Sequence, residues 1–430
     1  MVSSLDRRLG SADAVVLGLG AMIGAGVFVA FSPAAARAGS LVWISLVIAA
    51  VVAVCNALSS ARLAALLPAA GGTYVYGREL LGPLPGFLAG WGFVVGKTAS
   101  CAAMALTAGL YIWPERAHLV AAAAVLALTA LSVFGVQRTA TVAKVLVAIV
   151  LAVLGIFLVM AWSAPVGGVG AGGVGAVPAI DGEPWPARVI GVLGGAGFCF
   201  FAFAGYARIA TLGEEVREPA RTIPRAVVVA ISVVIVVYAL VLAAIVHVLG
   251  IGGVAAGTAP VLQAAERIGD GGLVPLVRIA AGIAALGALL GGILGVSRTT
   301  FAMARDRHLP VQLASVHPAA RTPYVAEICV GVLAAGIVLL ADVRQAIGFS
   351  SFAVLIYYLV ANTAVLRVDR TIRRLPAWVP TLGAVGCVIV AGSLPWRSVI
   401  GGVVVFVVGG LVYAFTRRGM VSPPAPSAQA

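Results

Sequence analysis

Apolar stretches of about 20 residues recur along the whole chain, separated by short connections rich in Arg, Gly and Pro. A stretch of that length matches the hydrocarbon thickness of a bilayer once it is helical. The spans fall at about 13–36, 41–66, 85–112, 117–135, 141–163, 188–211, 225–249, 274–303, 324–341, 346–366, 378–394 and 397–416. Short alternating strands, the mark of a membrane barrel, are not what the pattern shows. The pattern predicts an all-α polytopic membrane protein. It divides into an N-terminal segment (1–12), a first set of five spans (13–163), a Gly/Pro-rich external loop (164–187), a second set of five (188–366), two additional helices (367–416) and a disordered tail (417–430).

Two spans are apolar enough for lipid yet poor as helices. Val15–Phe31 reads VVLGLGAMIGAGVFVAF, with Gly18, Gly20, Gly24 and Gly26 close together. Each helix-interior glycine costs roughly 1 kcal/mol relative to alanine. One consequence is tight packing, since Gly20-xxx-Gly24 is a small-xxx-small contact. The other is a break whose free N–H and C=O groups hold a solute. A phosphate loop is excluded, because no strand precedes the glycines and no GK[ST] follows. Val189–Ala210 (VIGVLGGAGFCFFAFAGYARIA) repeats the pattern, with five glycines and aromatics at Phe198, Phe200, Phe201, Phe203 and Tyr206. It opens the second set of five spans as Val15–Phe31 opens the first. Breaks at corresponding positions of two halves point to a transporter's central site, and an odd number of spans per half inverts the second half in the membrane.

Composition agrees: hydrophobic residues make up 62% of the 430, charged residues 10%, and mean hydropathy is +1.11. The net charge of +13 does not indicate nucleic acid. With the N-terminus inside, most loop arginines lie on the inner face, leaving only Arg37, Arg116, Arg188, Arg267, Arg278, Arg344 and Arg397 outside. That asymmetry predicts cytoplasmic N- and C-termini in a plasma-membrane protein. Cys55, Cys101, Cys199, Cys329 and Cys387 are scattered singly and read as free. The polar start and long first span are not those of a cleaved signal peptide.

The chemistry expected at the breaks suits a zwitterion. Around Ala25, Gly26 and Val27 the outer half of span one offers N–H groups at its positive end, which fit a carboxylate. Carbonyls near Phe203, Ala204 and Gly205 fit an ammonium group, and aromatics such as Phe200 wall the pocket. Lys97 is the one ionisable side chain in mid-span, and an intramembrane lysine is a functional candidate. It suits three roles: countering a substrate carboxylate, standing in for a coupling cation, or carrying a proton. Glu214 and Glu215, after span six, form a candidate cytoplasmic gate with Arg298 and Arg305 at the end of span eight. His308 and His317 read as solvated loop residues, and no metal site is expected.

Four pieces in order carry a family resemblance: GLGAMIGAGVF (Gly18–Phe28), PAAGGTYVYGRELLGPLPGFLAGW (Pro68–Trp91), FFAFAGYARIATLGEEVREPARTIPRA (Phe200–Ala226) and SRTTFAMARDRHLP (Ser297–Pro310). The chain resembles the amino acid–polyamine–organocation permeases over spans one to ten. The resemblance implies a five-plus-five inverted repeat of the leucine-transporter type with two extra C-terminal helices. It implies secondary transport of amino acids or related amines, by proton symport or exchange. Carried over, Ile23, Gly24, Ala25 and Gly26 match the carboxylate break, and Phe203, Ala204 and Gly205 the segment receiving the amino group. The chain departs from the family in having Ala207 and Arg208 where many members have an acidic residue, and Lys97 where many have an aromatic one. Some proton-coupled members carry a lysine late in span five. Lys144 lies earlier, so that role is not carried over to it. The added positive charge argues against strongly cationic substrates.

The expected function is therefore amino acid transport, probed against exchange as the nearest rival and a membrane sensor as the non-transport one. An enzyme is not expected, because no span holds paired carboxylates or a Ser/His pairing. No filter-like repeat supports a channel. The expected partners are an amino acid, protons and the bilayer, with no cofactor and no nucleic acid. Nothing in the sequence fixes an oligomeric state.

Overall fold

The computed structural model describes residues 10–67, 71–135, 140–165, 179–210 and 216–420. The proposed disordered tail beyond 420, most of the Gly/Pro-rich loop, and Glu214 and Glu215 lie outside the described residues. In chain order the helices are α1 (Ser11–Met22), α2 (Gly26–Val29), α3 (Phe31–Ala38), α4 (Val42–Leu66), α5 (Thr73–Leu81), α6 (Pro83–Ile112), α7 (Ala117–Val133), α8 (Ala140–Ser163) and α9 (Trp185–Phe203). There follow α10 (Ala207–Ala210), α11 (Pro219–Ala256), α12 (Pro260–Ile268), α13 (Leu273–Arg305), α14 (Tyr324–Leu340), α15 (Val343–Arg367), α16 (Arg370–Arg373), α17 (Trp378–Gly392) and α18 (Trp396–Met420). No strand occurs among the described residues. Among the described residues ten stretches are long and apolar enough to cross a membrane, and α14 and α17 are two shorter apolar helices. The protein is thus an all-α polytopic membrane protein.

Both suspect spans are interrupted. Helix α1 ends at Met22, Ile23 to Ala25 are non-helical, and α2 is a single turn before the chain bends again at Ala30. Helix α9 ends at Phe203 and passes through a tight 3₁₀ turn, Ala204–Tyr206, into the short α10. The first break holds Gly24 and ends at Gly26, whereas the second holds a single glycine, Gly205, and the other four glycines of that span lie within intact α9.

The two halves correspond beyond their breaks. Helix α4 packs on α11, α6 on α13, and α3 on α9. Each half also carries a short helix between its second and third spans, α5 in the first and α12 in the second. These short helices were not legible as elements in the sequence. Pro260 at the start of α12 and Gly82 between α5 and α6, with φ of 107°, punctuate them. The broken helices α1–α3 and α9–α10 lie together at the centre, and α18 lies outermost, with Val404, Val407 and Leu411 exposed as a lipid-facing side chain would be.

Candidate functional site

Glycine decides how closely the two broken helices meet. A β-carbon on Gly26 would stand 2.4 Å from the Cα of Ala202, and one on Gly205 would stand 2.4 Å from the carbonyl of Ala21. Both are impossible approaches, so the backbones touch directly at both points. The glycines thus serve both close packing and interruption of the helix, at different residues. Gly26 and Gly205 are seams, while Gly24 and Ala25 form the break. The backbone N–H groups of Gly24 and Ala25 have no hydrogen-bond acceptor among the described residues. Those of neighbouring Ile23 and Phe28 do, on Leu19 and Ala25.

Tyr238 of α11 ties the breaks together. Its Oη lies 2.5 Å from the carbonyl oxygen of Met22 and 2.9 Å from that of Ala202. These are carbonyls that the end of each helix would otherwise leave without a donor. Its ring packs against Phe203, with centroids 4.9 Å apart, and edge-on against Phe31. On the far side of the break, Tyr111 of α6 donates to the carbonyl of Phe28 at 2.8 Å. Sequence reasoning passed over both tyrosines. The available signal was Tyr238 itself, the one aromatic in an aliphatic span.

A cavity of about 350 Å³ lies against the N-terminal side of the breaks, in the size range of small-molecule sites. Its walls are Leu17, Gly20 and Ala21 of α1, Phe93, Lys97, Ser100 and Met104 of α6, Ala204, Gly205, Ala207 and Arg208 at the second break, and the face of α13 from Gly287 to Arg305. Arg298 and Arg305 are exposed, so the cavity runs from mid-bundle to the surface on the side where α1 begins and α13 ends. At its inner end Ala288 packs against Gly24, where an added β-carbon would meet it at 2.6 Å. The α13 wall is smooth: Gly291 and Gly295 have nothing within 4 Å of where a β-carbon would be.

Lys97 reaches from α6 into this cavity and donates from Nζ to the carbonyl oxygen of Ala204, 3.1 Å away. That carbonyl belongs to the residue capping α9, at the negative end of a 19-residue helix. A charged amine at mid-membrane needs such an acceptor, and the break supplies one.

Of the residues singled out in the sequence, the structure gathers Lys97, Ala204, Gly205, Arg298 and Arg305 around one cavity. Ile23, Gly24, Ala25 and Gly26 are buried just beyond its inner end. Phe200 and Phe203 do not line it. They are fully buried behind the break, Phe200 edge-on to Tyr358 and Phe203 against Tyr238. The opposite number of Arg298 and Arg305 in the expected gate, Glu214 and Glu215, lies outside the described residues. His308 is not a solvated loop residue. It is half-buried, with Nδ1 2.8 Å from Tyr74 Oη, and its ring meets Phe87 edge-on. Tyr74 also donates to Asp306, which pairs with Arg78. No group of three or more metal-ligating side chains occurs among the described residues.

A bundle of membrane helices whose cavity runs from one surface to a pair of touching broken helices has the build of a solute transporter. Comparison with known proteins gives the family. The amino acid permease family model matches residues 13–430, and the chain belongs to that family. It is 53% identical to an uncharacterised transporter of Mycobacterium tuberculosis over 413 residues, covering 96% of this chain and 92% of that one. It is 26% identical to the branched-chain amino acid permease of Bacillus subtilis, covering 96% and 94%. It is 27% identical to the methylthioribose transporter of the same species, again covering 96% and 94%.

Proposed function

We propose that the protein is a secondary active carrier of amino acids in the plasma membrane, with both termini cytoplasmic. It takes neutral side chains ahead of strongly cationic ones and is coupled to protons. The observation that carries this reading is the meeting of Lys97 with the Ala204 carbonyl on the wall of a cavity beside two broken helices. The unpartnered N–H groups of Gly24 and Ala25 supply the place for a substrate carboxylate, and the Phe203–Gly205 break the place for its ammonium group, beside the Ala204 carbonyl that already accepts from Lys97. The name of the Bacillus subtilis branched-chain permease supports an amino acid as the solute. The cavity reaches one surface and Tyr111 holds Phe28 on the other side, which supports alternating access with this conformation open toward the N-terminal side.

The test is uptake of radiolabelled amino acids into proteoliposomes under an imposed pH gradient, with a pH-sensitive dye inside. A symporter concentrates the amino acid and acidifies the lumen, and a protonophore abolishes both. Uptake that requires amino acid already inside and ignores the pH gradient means exchange instead. Vesicles that take up no amino acid under either condition would refute the carrier reading.

A further inference from the structure

We propose that the site selects a dicarboxylic amino acid, whose side-chain carboxylate is received by Lys97. The proposal rests on the reading of the chain as an amino acid carrier and names the substrate class of that same site.

An ammonium group has three N–H donors. Lys97 spends one on the carbonyl oxygen of Ala204 and has no other hydrogen-bond or ion-pair partner among the described residues. Its side chain lines the cavity, so the two remaining donors are available to whatever occupies it. Two N–H donors on one cation match the two oxygens of a carboxylate, and such charge-assisted bonds are the strong ones.

The rest of the wall agrees in sign. Every charged side chain lining the cavity is basic: Lys97, Arg208, Arg298 and Arg305. No aspartate or glutamate lines it among the described residues, which leave out Glu214 and Glu215. Lys97 itself sets a positive charge on the cavity wall, which favours an anionic group in the solute beside it.

Substrate charge then decides the outcome at Lys97. The α-carboxylate and ammonium are common to every amino acid and go to the two breaks, so they do not distinguish one side chain from another. A neutral side chain leaves the Lys97 charge without a counter-charge in a partly dehydrated site, which is costly. A basic side chain adds like-charge repulsion. An acidic side chain supplies the missing partner. Ala204 keeps Lys97 in place while the site is empty, so little ordering remains to be done on binding.

The experiment compares acids with their isosteric amides on the full-length purified protein: L-glutamate with L-glutamine, and L-aspartate with L-asparagine. Affinity is read from the ligand-dependent rise in melting temperature and confirmed by competition for uptake in proteoliposomes. One acid should bind at least about tenfold more tightly than its amide. Lys97→Met should bring the pair to within about threefold, and Lys97→Arg should keep the acid ahead. An amide that binds the wild-type protein as well as its acid overturns the proposal, as does an acid preference that survives Lys97→Met. The wild-type comparison decides the matter even if Lys97→Met does not fold. Neutral amino acids taken up in place of acidic ones would sink the specificity alone. No amino acid taken up would sink the carrier reading beneath it.

Discussion

The carbonyl oxygen of Met22, the last residue of α1, accepts the phenolic proton of Tyr238 at 2.5 Å. The same hydroxyl lies 2.9 Å from the carbonyl of Ala202, so one proton serves the ends of both broken helices. Tyr238→Phe keeps the ring against Phe31 and Phe203 but leaves both buried carbonyls without their donor. The expected cost is about 1–3 kcal/mol of stability, visible as a lower melting temperature in detergent. A variant that melts with the wild type would mean that the bridge holds nothing.

Gly26 and Gly205 test the seam between the broken helices, and Gly205 also lines the cavity. Alanine at either requires the backbone of Ala202 or Ala21 to move, because the new β-carbon would stand 2.4 Å away. Overpacking of this kind costs about 1–3 kcal/mol. Folded yield and melting temperature should both fall, and substrate should not rescue them fully. Gly26→Ala with unchanged stability would contradict the close approach described here.

Gly291 offers the opposite case. It lines the cavity, and nothing lies within 4 Å of where its β-carbon would be. Gly291→Leu should leave the melting temperature close to wild type while filling the solute's space, so that uptake is lost. The replacement even raises local helix propensity, by roughly 1 kcal/mol at most. If Gly291→Leu transported at the wild-type rate, this cavity would not be the solute's route.

His308 predicts a pH dependence of stability. Burial holds its imidazole below the ordinary value of 6.5, Asp306 opposes that shift and Arg78 reinforces it. The unfolded chain therefore binds the proton at a higher pH than the folded one. The contribution to stability is complete above about pH 6.5 and is lost as pH falls through the lower folded value. Melting temperature measured between about pH 8 and pH 5 should fall on the acid side, and His308→Gln should flatten that limb. An identical acid limb in the variant would assign the effect elsewhere.

The architecture was legible because the membrane imposes a length and a polarity on every span. The interruptions in α1–α3 and α9–α10 were legible because glycine-bearing, poorly helical stretches open both sets of five spans, a correspondence that packing glycines alone do not require. Lys97 stood out as a charge in the wrong solvent. The partner of each group was not legible. That Lys97 meets Ala204, 107 positions away, depends on how α6 packs beside the break. Gly26 and Gly24 read alike in sequence, yet one touches Ala202 and the other sits in the break. Helices α5 and α12 are only nine residues each, too short for their amphipathic pattern to separate from the loops around them. His308 read as a loop residue because Tyr74, Phe87 and Tyr413 come to it from three distant parts of the chain.

The bare α13 wall has a consequence for how such a carrier changes over generations. Where Gly291 and Gly295 face the cavity, its bore is set by main chain alone. A single codon change to alanine there narrows the passage by one methyl group without displacing a packed neighbour. Solute size can therefore drift by small inherited steps while the bundle that holds the two breaks together stays the same.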